Sequence, residues 1–264
     1  MWTETARHLL LQLVQLRQLT IDGFLFVVES EPDDYWNWIE QGIYFSDFAT
    51  IRRFASREVT CIDAGAWVGA YTLYASKLYK HVHAIEPDPV AFQILTNNLT
   101  ANQIDNVSLY ECALMDYAGL TKIGSTILGC SCTRESCHLN SVTVPCTTLR
   151  KFCKTIPNPL FIKMDVEGAE AHILQDWEFF AERKPDLMLS THLEWWKEGG
   201  SDGHGEYETI SKVGRLYRHA FNPCGDKTDF NVEYGDVVFS DKKSEDASKE
   251  ARQPSPNGVE KVIQ

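Results

Sequence analysis

Val59-Thr-Cys-Ile-Asp-Ala-Gly-Ala-Trp-Val-Gly-Ala-Tyr-Thr72 decides the fold. Val59, Cys61 and Ile62 suit a buried strand, Gly65 and Gly69 free the backbone for a tight turn, and Tyr71 to Tyr79 continues with helical spacing. A strand that passes through a glycine turn into a helix is a ligand-binding corner of an open α/β sheet. Some way downstream Val82-His-Ala-Ile-Glu86 reads as a second strand ending on an acid. At the carboxyl edge of a neighbouring strand, that carboxylate can accept both hydroxyls of a ribose. The ligand expected here is a nucleoside derivative.

Asp63 narrows the choice. A dinucleotide fingerprint, G-x-G-x-x-G, cradles a pyrophosphate on glycines and a helix N-terminus, whereas the spacing here is D-x-G-x-x-x-G. A carboxylate two residues before the first glycine repels phosphate and attracts an ammonium. S-adenosylmethionine carries an ammonium, a sulfonium and a ribose but no phosphate, and its carboxylate suits the N-terminus of the following helix. Alone, Asp63 reads equally well as a turn cap and Glu86 as a solvated strand end; together, at this spacing, they favour this ligand.

A second stretch, Leu160-Phe-Ile-Lys-Met-Asp-Val-Glu-Gly-Ala-Glu170, is a strand ending at Asp165. Glu167 and Gly168 follow in a turn, then a helix whose apolar face uses Ile173, Leu174, Trp177 and Phe180. Asp186 to His192 is the next strand and ends on an imidazole. Acid and imidazole at adjacent carboxyl ends face one crevice.

Working outward, residues 3 to 20 carry leucines at spacings of three and four (Leu9, Leu13, Leu16). They predict an amphipathic helix, packed on the main domain or on a second subunit in a homo-oligomer. Glu31 to Glu40 is aromatic and acidic, a cap anchored by Trp36 and Trp38 or a cover over the ligand site. Ile51, Phe54 and Ala55 are spaced for a helix. After Glu86, Asp88 and Pro89 start another, with Val90, Ile94, Leu95 and Leu99 on its buried face. Asn106 to Ala113 reads as a third strand whose end, Cys112 and Ala113, falls near the adenine. From Tyr117 to Ser141 the pattern weakens into hairpins or a loop. There Cys130, Cys132, Cys137 and His138 form an imperfect zinc knuckle, read as free thiols. Val142 to Cys146 is strand-like and Thr148 to Cys153 a short helix. Gly199 to Gly205 is a flexible rim loop, Tyr207 to Leu216 a helix, and Arg218 to Asn222 and Asp236 to Phe239 are terminal strands.

The 264 residues and 44% hydrophobic content support an ordinary globular core. Lys+Arg 25 against Asp+Glu 37 gives a net charge of -12. The stretch from Asp241 is balanced between acids and bases, so the excess lies in the body, and a nucleic-acid partner is not expected. Scattered cysteines, with Cys61 and Cys153 in core-like patterns, point to free thiols and a cytoplasmic location. The leucine-rich N-terminus is too short and interrupted for a membrane span.

With both motifs quoted, the chain resembles the FkbM-type family of class I S-adenosylmethionine-dependent methyltransferases. The likeness rests on Ile62-Asp-Ala-Gly-Ala66, Gly69 with Tyr71-Thr72, Ala84-Ile-Glu-Pro87, Cys112-Ala-Leu-Met-Asp116 with Gly119, and Ile162 to Glu170, over roughly residues 58 to 192. The resemblance implies an α/β Rossmann-like class I methyltransferase. Its sheet would be seven-stranded and mostly parallel, with helices on both faces and an antiparallel last strand. It also implies O-methylation of a hydroxyl on a sugar, glycan or small molecule. The cofactor residues carried over are Asp63, Gly65, Ala66, Trp67, Gly69, Tyr71, Thr72, Glu86, Pro87, Cys112, Ala113 and Asp165. Trp67 stands where the family usually has Asn, and Ser190-Thr-His192 lacks an acid the family often carries.

Asp165, Glu167 and His192 are the candidate catalytic residues, with His192 as base because an ordinary imidazole titrates at roughly 6.5. A divalent metal is allowed by the sequence but not required. An inactive S-adenosylmethionine-binding scaffold is the competing class, and a nicotinamide oxidoreductase is disfavoured by phosphate repulsion. Three segments follow: an N-terminal cap at 1–57, the methyltransferase domain at 58–240, and a disordered tail at 241–264 too poor in apolar residues to fold alone.

Overall fold

The computed structural model describes residues 15–124, 141–192, 204–228 and 235–243. It begins with a hairpin, β1 (Leu16–Ile21) and β2 (Phe24–Glu29), whose strands pair antiparallel. The helix expected over residues 3 to 20 is therefore wrong for its last turn; residues 3–14 lie outside the described ones. Asp22-Gly23 at the turn, both at positive φ (48° and 83°), is the reason: an Asp-Gly pair supplies the left-handed residues a two-residue hairpin needs. Leu19 and Ile21, on the strand that replaces the expected helical turn, are buried within this chain, while Leu9 and Leu13 lie outside the described residues.

Helices α1 (Asp33–Glu40) and α2 (Phe45–Phe54) lead to β3 (Thr60–Ala64), α3 (Ala70–Leu78), β4 (His81–Ile85), α4 (Pro89–Ala101) and β5 (Val107–Tyr110). The third strand stops earlier than expected. Ala113 and Leu114 form a separate short strand, β6, in a three-stranded sheet with β7 (Gly119–Gly124) and β8 (Ser141–Thr147). The cysteine knuckle lies outside the described residues; Cys61, Cys112, Cys146, Cys153 and Cys224 are free thiols. After α5 (Leu149–Phe152) come β9 (Leu160–Met164), α6 (Glu170–Leu174), α7 (Trp177–Arg183), β10 (Asp186–Thr191), α8 (His204–Gly214), β11 (His219–Phe221) and β12 (Gly235–Ser240).

The main sheet has seven strands in the order β11-β12-β10-β9-β3-β4-β5. The run from β10 to β5 is parallel, and β12 pairs antiparallel with both β10 and β11. This is the Rossmann-like class I methyltransferase architecture. Every residue of β3 and of β9 is buried, as in a parallel sheet covered on both sides. Alternate residues serve opposite faces: Cys61, Val82, Phe161 and Met188 join a core with the hairpin and α1 to α4, while Ile62, Ala64, Ile162 and Leu189 join one with α5 to α8. The N-terminal segment thus shares its core with the sheet. Asp88 caps α4 through Val90 N–H and Ala91 N–H, and Leu95 and Leu99 are buried as expected, but Val90 is exposed. At the other end, Lys242 pairs with Asp186 at 3.2 Å and Asp241 accepts the Arg218 N–H at 3.0 Å, so these residues dock on the domain.

Candidate active site

The strand ends bring four pieces to one rim. Beyond β3 the chain turns at Gly65 (φ 78°), where a Cβ would stand 1.7 Å from the Asp165 carbonyl oxygen. Only glycine lets β3 and β9 approach this closely. Gly65 and Ala66 both donate to the Ile85 carbonyl at 3.0 Å, tying the turn to β4. Trp67 takes a left-handed conformation (φ 46°) and donates its N–H to Glu86 Oε2 at 2.8 Å, while Asp88 N–H donates to Oε1 at 2.8 Å. Burial pushes the Glu86 carboxyl up to about 7, against these two hydrogen bonds.

Beneath the turn lies a buried ion pair. Asp63 is 1% exposed and Lys163 3%. Lys163 Nζ stands 3.4 Å from Asp63 Oδ1 and 3.6 Å from Asp165 Oδ2, and donates to the Gly65 carbonyl at 2.9 Å. The Thr72 hydroxyl donates to Asp63 Oδ2 at 2.5 Å. Burial alone would lower the Lys163 ammonium, yet the two aspartates hold it up at about 12; burial in turn raises Asp63, opposed by Lys163 and the Thr72 hydroxyl. Lys163 also sits 4.8 Å from the ring centroid of Tyr71, whose hydroxyl donates to Asp47 Oδ2 at 2.7 Å. Burial and the charge of Asp236 raise Asp47 to about 6.

On the far side, Asp165 follows β9, and Glu167 occupies a left-handed turn position (φ 54°) ahead of Gly168 (φ 105°). Glu170, fully buried at the start of α6, accepts the Val166 and Gly168 N–H groups at 3.2 and 3.0 Å. It also holds His192 Nδ1 at 2.8 Å. His192 Nε2 faces Asp165 Oδ1 at 3.6 Å and Glu167 Oε2 at 3.5 Å. Burial would lower His192, but Glu170, Glu167 and Asp165 raise it to about 9. The near-neutral imidazole expected from the sequence is thus made more basic by three carboxylates, and its Nε2, on the side of Asp165 and Glu167, carries either a proton or another cation. Burial pushes Glu167 up to about 7.

Part of this set lines a cavity of about 350 Å³. The glycine turn, Glu86 and Pro87 line it, Ile85, Cys112, Ala113, Leu114 and Ile123 make its apolar end, and Asp165 and Glu167 also face it. Tyr35, Trp38 and Tyr44, from α1 and the turn after it, close the mouth.

Residues 63–218 match the family model of the methyltransferase FkbM domain, more than half of the chain. The chain belongs to the FkbM methyltransferase family. Among curated proteins, methyltransferase sdnD of Sordaria araneosa is 36% identical over 61 residues, 22% of this chain and 24% of that protein, so the match spans about a quarter of that relative's length. Among solved structures, the T. thermophilus 16S rRNA N2 G1207 methyltransferase RsmC, in complex with AdoMet and guanosine, is 12% identical with a TM-score of 0.48, covering 86% of this chain and 50% of that one. Precorrin-6y C5,15-methyltransferase of Geobacter metallireducens is 13% identical with a TM-score of 0.41, covering 74% and 88%.

Within this FkbM domain, Gly65, Ala66, Trp67, Tyr71, Glu86, Pro87, Cys112, Ala113 and Asp165 lie on the cavity wall, as does Glu167. Asp63, Gly69 and Thr72 stand behind it: Asp63 is turned to Lys163 and Thr72, and at Gly69 a Cβ would meet Leu95 Cδ1 at 2.5 Å. His192 reaches the site through Asp165 and Glu167. Sequence reasoning missed Lys163, Glu170, Tyr44 and Ile123, whereas Tyr35 and Trp38 fall in the segment read as a cap or a cover and do line the cavity. Lys163 carried a signal, a lysine inside an otherwise apolar strand, since buried charges come paired.

Proposed function

We propose that this chain is an S-adenosylmethionine-dependent methyltransferase acting on a hydroxyl of a sugar, glycan or other small molecule. The observation that supports the reading is that Glu86, the Gly65 turn, Asp165 and Glu167 all line one cavity, with Asp165 packed directly against Gly65. Each Glu86 oxygen accepts one backbone N–H and keeps acceptor capacity toward the cavity for ribose hydroxyls. The apolar end around Ile85 and Ile123 fits an adenine, and the cavity volume is in the range of small-molecule sites.

When bound, S-adenosylmethionine supplies a methyl group already activated by its sulfonium. The chain must then hold an acceptor oxygen in line with that methyl and keep water out. Tyr35, Trp38 and Tyr44 at the mouth serve the second task. In this reading Asp165 or Glu167, which line the cavity, would receive the proton of the acceptor hydroxyl as its oxygen forms the new bond to carbon, with His192 beside them. Exposed Trp38, together with Asp165 and Glu167 on the cavity wall, favours a neutral acceptor with an apolar body over a phosphate backbone. No helix among the described residues is long and apolar enough to cross a membrane.

Calorimetric titration tests the reading. S-adenosylmethionine and S-adenosylhomocysteine should bind at one site per chain, Glu86→Ala should weaken both by about 1–3 kcal/mol, and NAD should not bind. Binding of NAD in place of the two methyl-donor ligands would overturn it, and cofactor binding with no transfer to any hydroxylated acceptor would favour the scaffold.

A further inference from the structure

We propose that Asp165, Glu167 and His192 form a divalent-cation site on the acceptor side of the cavity, an inference that rests on the methyl-transfer reading and names how the acceptor hydroxyl is activated. Each residue offers one donor atom, and the three atoms lie within 4.8 Å of one another. The His192 Nε2 separations, 3.6 Å to Asp165 Oδ1 and 3.5 Å to Glu167 Oε2, exceed ordinary hydrogen-bond lengths of about 2.7–3.2 Å. Donors held about 2.1 Å from one octahedral ion are about 3 Å apart along an edge and about 4 Å apart across it. The two His192 Nε2 spacings, 3.6 and 3.5 Å, lie between these values, so side-chain shifts of about half an ångström bring the donors to one ion.

The donors come from the ends of two paired strands, β9 and β10, and from the turn between β9 and α6, so the sheet fixes their spacing. Glu170 settles which imidazole nitrogen is presented. Its buried carboxylate engages Nδ1, leaving Nε2 directed at the two acids. A carboxylate behind an imidazole is the usual outer partner of a ligating histidine. The same carboxylate accepts the Val166 and Gly168 N–H groups, which flank Glu167, so one buried group positions two of the three donors.

Two carboxylates and one imidazole make an oxygen-rich set suited to magnesium or manganese. Asp165 and Glu167 line the cavity, so an ion here has protein on one side and open positions on the other for water and the acceptor hydroxyl. A coordinated hydroxyl loses its proton more readily. That proton leaves to a water, the oxygen forms its bond to the methyl carbon, and the carbon–sulfur bond breaks with its electron pair returning to sulfur.

The test uses the full chain, treated with chelator and titrated with manganese chloride by calorimetry and by electron paramagnetic resonance. One manganese per chain is expected in the parent, with affinity reduced about a hundredfold or more in Glu167→Gln and Asp165→Asn and about 10–100-fold in Glu170→Gln. Glu167 sits on a turn, so its variant reports on the site even where Glu170→Gln fails to fold. S-adenosylhomocysteine affinity is measured alongside on every variant. Binding of S-adenosylhomocysteine without saturable manganese binding overturns the cation site and leaves methyl transfer standing; unchanged manganese affinity in Glu167→Gln also overturns it. Manganese binding to these donors in a protein that does not take the nucleoside supports the site and defeats the methyl-transfer reading instead.

Discussion

Replacing Glu86 by Gln should remove a loss of stability that the protein suffers as pH rises, while weakening its hold on the cofactor. Glu86 is 4% exposed, and burial lifts its carboxyl from 4.5 to about 7 against the Asp88 and Trp67 N–H groups, with the Asp88 charge adding to the rise and Lys163 opposing it. The folded state therefore keeps this proton longer than the unfolded chain. The associated stability is complete below pH 4.5 and is lost as pH climbs through about 7. A rise of this size corresponds to about 3 kcal/mol. Gln keeps the shape of the protonated acid but can accept only one of the two backbone N–H groups that the Glu86 oxygens accept, so the variant should start below the parent near pH 4.5 and gain on it as pH rises. The melting-temperature difference should shift in the variant's favour by roughly 6–12 °C between pH 4.5 and pH 8 for a domain of this size. Calorimetric affinity for S-adenosylhomocysteine at the same pH should fall by about 1–3 kcal/mol, because a neutral amide accepts fewer hydroxyls. Thermal scans from pH 4.5 to 9 on both proteins decide it. A melting-temperature difference that does not shift toward the variant as pH rises would show that Glu86 is not held as a reluctant anion.

Lys163→Met should destabilise by about 3–5 kcal/mol, since it leaves Asp63 buried with only Thr72 as partner. Adding Asp63→Asn should recover much of that loss in urea unfolding, and strictly additive losses would refute the pairing. Gly65→Ala should cost about 3 kcal/mol or more, because its Cβ meets the Asp165 carbonyl oxygen at 1.7 Å on a backbone already at positive φ. Any folded fraction should bind S-adenosylhomocysteine at least tenfold more weakly; parent-like affinity and melting would mean that β3 and β9 are not pressed together here.

What the sequence revealed was what short-range chemistry decides. Gly65 and Gly69 had to mark a turn because their φ values and close contacts exclude a side chain, and Asp88-Pro89 had to start a helix because its cap is local. The hairpin was legible too, in Asp22-Gly23, but leucine spacing drew the reading toward a helix; periodicity over so few residues cannot arbitrate, and the turn pair should have prevailed. Glu170 was hidden for the opposite reason. An acid in the first turn of a helix is commonplace, and its role exists only because His192, 22 positions later, returns on the adjacent strand.

Trp67 joins the two levels. The family's usual Asn suits a left-handed position, where a short polar side chain is tolerated, and the backbone here does take φ 46°. A tryptophan in that conformation bears strain that its surroundings must offset. The offset is visible across the cavity: the Trp67 ring meets Tyr35 edge-on at 4.6 Å, and Tyr35 in turn contacts Trp36 and Tyr44. The glycine turn and the aromatic mouth are thus packed as one unit. A substitution at Trp67 should therefore act on acceptor entry through Tyr35 and Tyr44 as well as on the cofactor through the Glu86 hydrogen bond, which ties acceptor choice to a residue that the family motif alone would assign to the cofactor.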